Sequence, residues 1–221
     1  MKNIRTLIIV ILSLLCATQL AAKDEFPTTA VGLRIYLDPL RLDYNDRKDE
    51  RLSLLKSLIE HTEAELNKQK EDAGLTTMAG YFNAQYAGYK SGIGALKYAK
   101  TARKHLEKAI KLDPELYDAA AHTILGTLYF RVPGWPIGYG SKKKAEKNYK
   151  KAVELAPAGI EANFSYAQFL WAQERYQECD KYLRLAQQSD PRPDQTRTDK
   201  FLNEQIEYAL KLVTEKLKQT E

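Results

Sequence analysis

Histidine and cysteine are scarce: the 221 residues hold three of the first and two of the second. His61, His105 and His122 fall on three separate predicted helices, without the close spacing that sets two imidazoles on one helical face, so neither a metal site nor a cofactor is expected. Cys16 lies in the N-terminal apolar run and leaves Cys179 alone in the remainder. That excludes an internal disulfide there and leaves the hydrophobic core to hold the fold by itself. With no base identifiable beside it, Cys179 reads as a small buried filler and not as a nucleophile. No acid–base or nucleophile constellation emerges elsewhere, and a non-enzymatic role is expected. A large charge surplus is missing too. The formal +5 falls to +3 once residues 1–22, with Lys2 and Arg5 and no acid, are set aside, too near balance to point to nucleic acid.

Long apolar stretches are also lacking, apart from one at the start. "MKNIRTLIIVILSLLCATQLAAKDEF" has Lys2 and Arg5 ahead of an apolar run from Leu7 to Ala17, then small residues ending at Ala21 and Ala22. That is the layout of a secretory signal peptide, so residues 1–22 are expected to be removed and the mature chain to be periplasmic or secreted. The run falls short of the about 20 apolar residues a membrane span needs, and an uncleaved anchor is the alternative reading. Lipidation at Cys16 fits less well, because Leu15 precedes it where processing wants a small residue.

What the chain does have is a repeat. The stretches "AKTARKHLEKAIKLDP", "KKKAEKNYKKAVELAP" and "YQECDKYLRLAQQSDP" align on Pro114, Pro157 and Pro191. One column then holds Ala102, Ala145 and Cys179, the next Leu106, Tyr149 and Leu183, and a third Ala109, Ala152 and Ala186. Small residues let two helices approach, the large one fills the gap, and proline ends the helix before the next unit. Pro157 to Pro191 is 34 residues, and Tyr166, Ala167, Leu170 and Tyr176 supply the matching first helix. In the preceding unit Leu125, Gly126 and Tyr129 do the same, with seven extra residues between its two helices. In the first unit both Gly80 and Gly88 are candidates for the helix-contact glycine.

Three flanking segments complete the organisation. Leu55, Leu58, Ile59, Thr62 and Leu66 share one helical face, with Gly74 as a stop, whereas residues 24–45 read as either a short helix or an extended lead-in. Leu202, Ile206, Ala209, Val213 and Leu217 form the single apolar stripe expected of a terminal cap. Between cap and last repeat, "SDPRPDQTRTD" reads as a polar turn. The expected order is an N-terminal helical extension over 23–75, three repeats over 76–114, 115–157 and 158–191, and a capping helix over 192–221.

The inserted residues are centred on "PGWPIGYG", 133–140. Pro133 stops one helix, the glycines allow a tight return, and Ser141 caps the next helix. Turning alone does not require Trp135, Ile137 and Tyr139, which are expected to fold over the stack as a packed lid at one end of a groove. "GYGSKKK" does not match a phosphate-binding loop, since Lys142 follows Ser141 and the glycine spacing differs.

The column pattern, the 34-residue period and the terminal prolines resemble the tetratricopeptide repeat family. The resemblance implies an all-α solenoid of antiparallel helix pairs whose first helices line a concave groove. By that resemblance Thr123, Thr127, Phe130 and Arg131 of the middle unit and Phe164, Gln168 and Trp171 of the last face the groove, a set of aromatic anchors with a few polar groups suited to a protein or peptide partner. The basic and asparagine clamp of cytosolic co-chaperone repeats is not supported here. Within the family, the stretch from "RVPGWPIGYG" through "YLRLA" is similar to the exported T-component of tripartite (TRAP-type) solute transporters. That likeness implies the alternative to a scaffold: an oligomeric transport accessory that binds a small apolar solute.

Overall fold

The computed structural model describes residues 26–43 and 47–219, so the expected signal peptide at 1–22 lies outside the described residues. Among them nine α-helices occur and no strand. They are α1 (Ala30–Asp43), α2 (Lys48–Lys68), α3 (Ala73–Lys90), α4 (Ala95–Leu112), α5 (Leu116–Arg131), α6 (Lys142–Leu155), α7 (Ile160–Trp171), α8 (Tyr176–Gln187) and α9 (Thr196–Lys218). The ambiguous 24–45 segment is thus largely helix, and burial explains why: Ala30 and Leu33 insert into the core beside Leu58, Leu75 and Phe82.

Consecutive helices pack against each other from α2 onward, consistent with an α-solenoid. The pairs α3/α4, α5/α6 and α7/α8 are the most intimate, and α3, α5, α7 and α9 also touch in series as an inner wall. All nine column residues are buried: the six small ones, Ala102, Ala109, Ala145, Ala152, Cys179 and Ala186, and the fillers Leu106, Tyr149 and Leu183. Small residues set the distance at which helices cross and a single large one fills the remaining space, so the columns follow from packing. Burial also pushes the Cys179 thiol up to about 11, which keeps it neutral among its apolar neighbours.

Two glycines show the same rule at closest approach. A Cβ on Gly126 would lie 2.9 Å from the Tyr149 ring, and one on Gly80 would lie 2.7 Å from the Leu106 side chain. Gly88 faces open space, so Gly80 is the contact glycine of the first unit. Gly74 departs from expectation. It does not stop α2, which ends at Lys68, but sits in the first turn of α3 where a Cβ would meet Ala30 at 2.7 Å, and so admits α1. The turn into α3 is closed by Asp72, whose Oδ1 accepts from Leu75 N at 2.7 Å.

The inserted loop departs as well. Tyr139 does pack: its hydroxyl donates to Ala99 O at 2.7 Å, its ring meets Tyr129 edge-on, and Arg103 lies over it. Trp135 and Ile137 do not, being 89% and 66% exposed. The loop's base explains the difference. Ser141 N donates to Tyr129 O at 2.8 Å and Gly140 N to Pro133 O at 2.9 Å, a closure so tight that a side chain at Gly140 would strike the Val132 carbonyl. The strap is held beside Tyr139, and its tip at Trp135 points away from the stack. The expected three-residue lid is therefore a one-residue anchor with two apolar residues facing solvent.

Candidate functional site

The first helix closes the inner wall into a ring. Helix α1 touches α3 on one side and α9 on the other, 160 residues away in sequence. Asp38 makes the join: its two carboxylate oxygens accept from Arg197 N at 3.0 Å and Thr198 N at 2.8 Å, the free amides of the first turn of α9. Burial alone would raise the Asp38 pKa, but the backbone amides of Arg197 and Thr198 outweigh it and hold the carboxyl below its ordinary value. A side chain in α1 thus does for α9 what a local N-cap does for other helices.

Inside this ring lies a solvent-open cleft, bordered by α1, α3, α5, α7 and the turn before α9. Its apolar wall is Leu37, Met78, Ala120 and Ile124, with the rings of Tyr81 and Tyr117. Its polar rim is Arg34, Thr77, Glu161, Arg192 and Gln195. Residues at or near the amino-terminal ends of α3, α5 and α7, with the turn before α9, supply most of this lining.

Both arginines are held in place. Arg34 Nε donates to Asp194 Oδ2 at 3.0 Å while its guanidinium lies 4.1 Å from the centre of the Tyr117 ring. Gln195 Nε2 donates to Arg34 O at 3.0 Å, fixing the backbone of α1 against the turn before α9. Arg192 forks onto Asp199, with Nη2 at 2.6 Å and Nε at 2.9 Å from Oδ1, and reaches Glu161 at 3.4 Å. Burial opposes the Arg192 charge, yet Glu161 and Asp199 raise its pKa above the ordinary value. The "SDPRPDQ" stretch is therefore the clasp of the ring, with Pro191 and Pro193 stiffening the backbone on either side of Arg192.

Tyr117 reaches the cleft through an unusual backbone. Tyr117, Asp118 and Ala119 all have left-handed dihedrals, with φ of 53°, 56° and 55°. Such a conformation costs about 1–2 kcal/mol for an L residue, and surrounding contacts must hold it. Asp113 Oδ1 takes Leu116 N and Glu115 N at 3.1 Å each, and Ala119 N returns to Glu115 O at 3.0 Å. Burial raises the Tyr117 pKa, so its ring and hydroxyl stay neutral beside Arg34.

None of the seven residues expected in the groove lines this cleft. Thr123 is buried with its hydroxyl on Ala119 O, and Thr127 accepts from Tyr149 OH at 3.1 Å. Phe164 is buried, Phe130 lies edge-on to Phe169 and Trp171 edge-on to Tyr176. Arg131 and Gln168 face solvent. On those same helices the cleft takes Ala120 and Ile124, which flank Thr123, and Glu161, three residues before Phe164. Repeat spacing identifies the inner helices but not which of their residues border the opening. Arg34, Tyr117 and Arg192 had no signal in the repeat at all. The histidines have separate partners: His61 meets Pro27 O at 3.0 Å, His105 meets Glu63 at 2.8 Å and His122 meets Asn148 at 3.1 Å. Among the described residues no group of three or more His, Cys, Asp or Glu is gathered as for a metal ion.

The described residues thus form a ring of paired helices around an open, mostly apolar cleft. Residues 39–214 match the TRAP transporter T-component family, and the chain belongs to that family. The match runs from α1 through α9, across the clasp as well as the repeated pairs. It carries the transport likeness seen in the sequence rather than the wider tetratricopeptide assignment. No curated protein matches the chain. Among the described residues no helix is long and apolar enough to cross a membrane.

Proposed function

We propose that this protein is an accessory binding component of a TRAP-type solute transport system. In this role it holds a small, largely apolar solute with one polar end in the ring-enclosed cleft and presents it to a transport partner. The observation that carries the reading is the coincidence of the family match with the cleft. Leu37, Met78 and Ile124 offer apolar wall, and Thr77 and Gln195, whose donors are bound to Ala73 O and Arg34 O, leave neutral side-chain oxygens as acceptors at the rim. The charged rim groups serve binding rather than catalysis, since Arg34 and Arg192 are tied to Asp194 and Asp199 and hold the walls together. The repeated helix pairs provide the rigid wall, and the exposed Gln168 belongs to the surface shown to a partner. The reading includes export after loss of residues 1–22 and a role without a cofactor.

Ala120→Trp tests it, because the indole would fill the cleft from α5 while every residue of the Arg34–Asp194 and Arg192–Asp199 pairs is kept. Native mass spectrometry of protein isolated from the producing cells should show a noncovalent adduct of small-molecule mass on the original chain and none on the variant, with equal helical circular dichroism. Equal adducts on both would place the solute elsewhere and defeat the reading.

A further inference from the structure

The loop tips that failed to pack stand in an unusual electrostatic setting. Residues 90–104 and 131–144 together contain nine lysines and arginines and no aspartate or glutamate. The chain after residue 22 is +3 in all, so everything outside these two stretches is −6. The structure brings the stretches together: Tyr139 is pinned to Ala99 in the second turn of α4, and Arg103 of α4 lies over its ring. Eight of the nine cations, Lys90, Lys97, Lys100, Lys104, Arg131 and Lys142 to Lys144, are exposed, and among the described residues none is ion-paired. Amid them project Trp135 and Ile137, and Ile93 in the α3–α4 turn, 87% exposed.

We propose that this face docks the protein on an anionic phospholipid bilayer, with Trp135, Ile137 and Ile93 entering the headgroup region and the lysines meeting lipid phosphates. Charge decides the kind of partner. Cores of protein interfaces are depleted in lysine and present packed apolar patches, whereas here single apolar tips rise from a field of exposed lysines without carboxylate partners, two of which, Lys90 and Lys144, lie over the rings of Tyr86 and Tyr129. Tryptophan favours the bilayer interface, and each lysine held near an anionic surface strengthens adsorption about fivefold. Neither term suffices alone for stable binding, and the two together match the two-signal logic of peripheral attachment. The docked face does not include the cleft residues, so the proposal stands apart from solute binding.

The test uses the chain from residue 23, which keeps every described element and lacks the Leu7–Ala17 run that would itself partition. Trp171→Phe leaves Trp135 as the sole tryptophan. On vesicles of phosphatidylcholine mixed with phosphatidylglycerol, its emission should shift to shorter wavelength and be quenched by lipids brominated on the acyl chain. On phosphatidylcholine alone neither should occur, and about 0.5 M salt should weaken the effect. In the original background, Trp135→Ala with Ile137→Ser should lower vesicle co-sedimentation about tenfold, and Lys142, Lys143 and Lys144→Gln at least as much, with unchanged circular dichroism. No binding to the mixed vesicles, an unquenched Trp135, or tip variants that bind as well as the original would each overturn the proposal. So would a result in which the tip variants lose a protein from an envelope extract while vesicles bind neither chain.

Discussion

At the scale of single residues, α3 offers a direct comparison, since it holds two glycines eight positions apart in opposite settings. Gly80 lies against Leu106, and Gly88 faces open space. Gly80→Val forces a side chain into the α3–α4 contact and is expected to cost about 1–3 kcal/mol by overpacking. Gly88→Ala relieves a flexible helical position and is expected to gain about 0.5–1 kcal/mol. Urea unfolding followed by circular dichroism measures both, and equal effects of the two changes would contradict the packing described. The sequence alone left these glycines equivalent, because each is followed at helical spacing by suitable residues. Only the position of Leu106 separates them. The same limit held for Trp135, Ile137 and Tyr139, alike in apolar character. What decides their fates is position along the loop: the Tyr139 hydroxyl, at its base, reaches Ala99 O, whereas Trp135 and Ile137, nearer its tip, are exposed.

At the scale of helices, the repeated pairs were legible and the closing helix was not. Columns of small and large residues encode local packing between neighbours in sequence, so α4, α6 and α8 and their buried residues could be read directly. The apolar stripe of α9 was equally legible, and Leu202, Ile206 and Val213 are buried. The role of α1 depends on contacts 160 residues distant, which no local period records. Asp38 is where this becomes measurable. Asp38→Ala uncaps α9 and is expected to cost about 1–2 kcal/mol, with Asp38→Asn intermediate because one oxygen remains to accept. The Asp38 pKa is lowered in the folded chain, so its contribution is fully present above the ordinary value of 3.8 and fades as pH falls through the lower folded value. The gap in stability between the original chain and Asp38→Asn should therefore be wide at about pH 7 and narrow at about pH 3. A gap that stays constant across that range would show that the carboxylate charge plays no part in the join.

At the scale of the whole molecule, a stack of helix pairs ordinarily has two free ends and couples only nearest neighbours. Here α1 adds a second path between the ends. One apolar cluster runs from Ala30 to Tyr86 and another from Ala87 to Val213, and Tyr98 packs against both. The join of α1 to α9 therefore links two cores that otherwise meet only in the middle of the chain. Closure also makes the cleft, since without α1 the rim loses Arg34 and Leu37 and the turn bearing Arg192 and Gln195 loses its anchor. A chain starting at residue 48 tests this by position. Amide exchange at Arg197 and Thr198 should accelerate about fivefold or more once their acceptor is gone. Helices α4 and α6, which pack against neither α1 nor α9, should exchange as before apart from any global loss of stability. Uniform acceleration along the chain would mean that α1 contributes only its buried apolar surface, through Leu33 and Ala30. Unchanged exchange at Arg197 and Thr198 would mean that α7 and α8 hold α9 without help from α1. The localised pattern is expected because Asp38 accepts from both amides directly, at 3.0 and 2.8 Å.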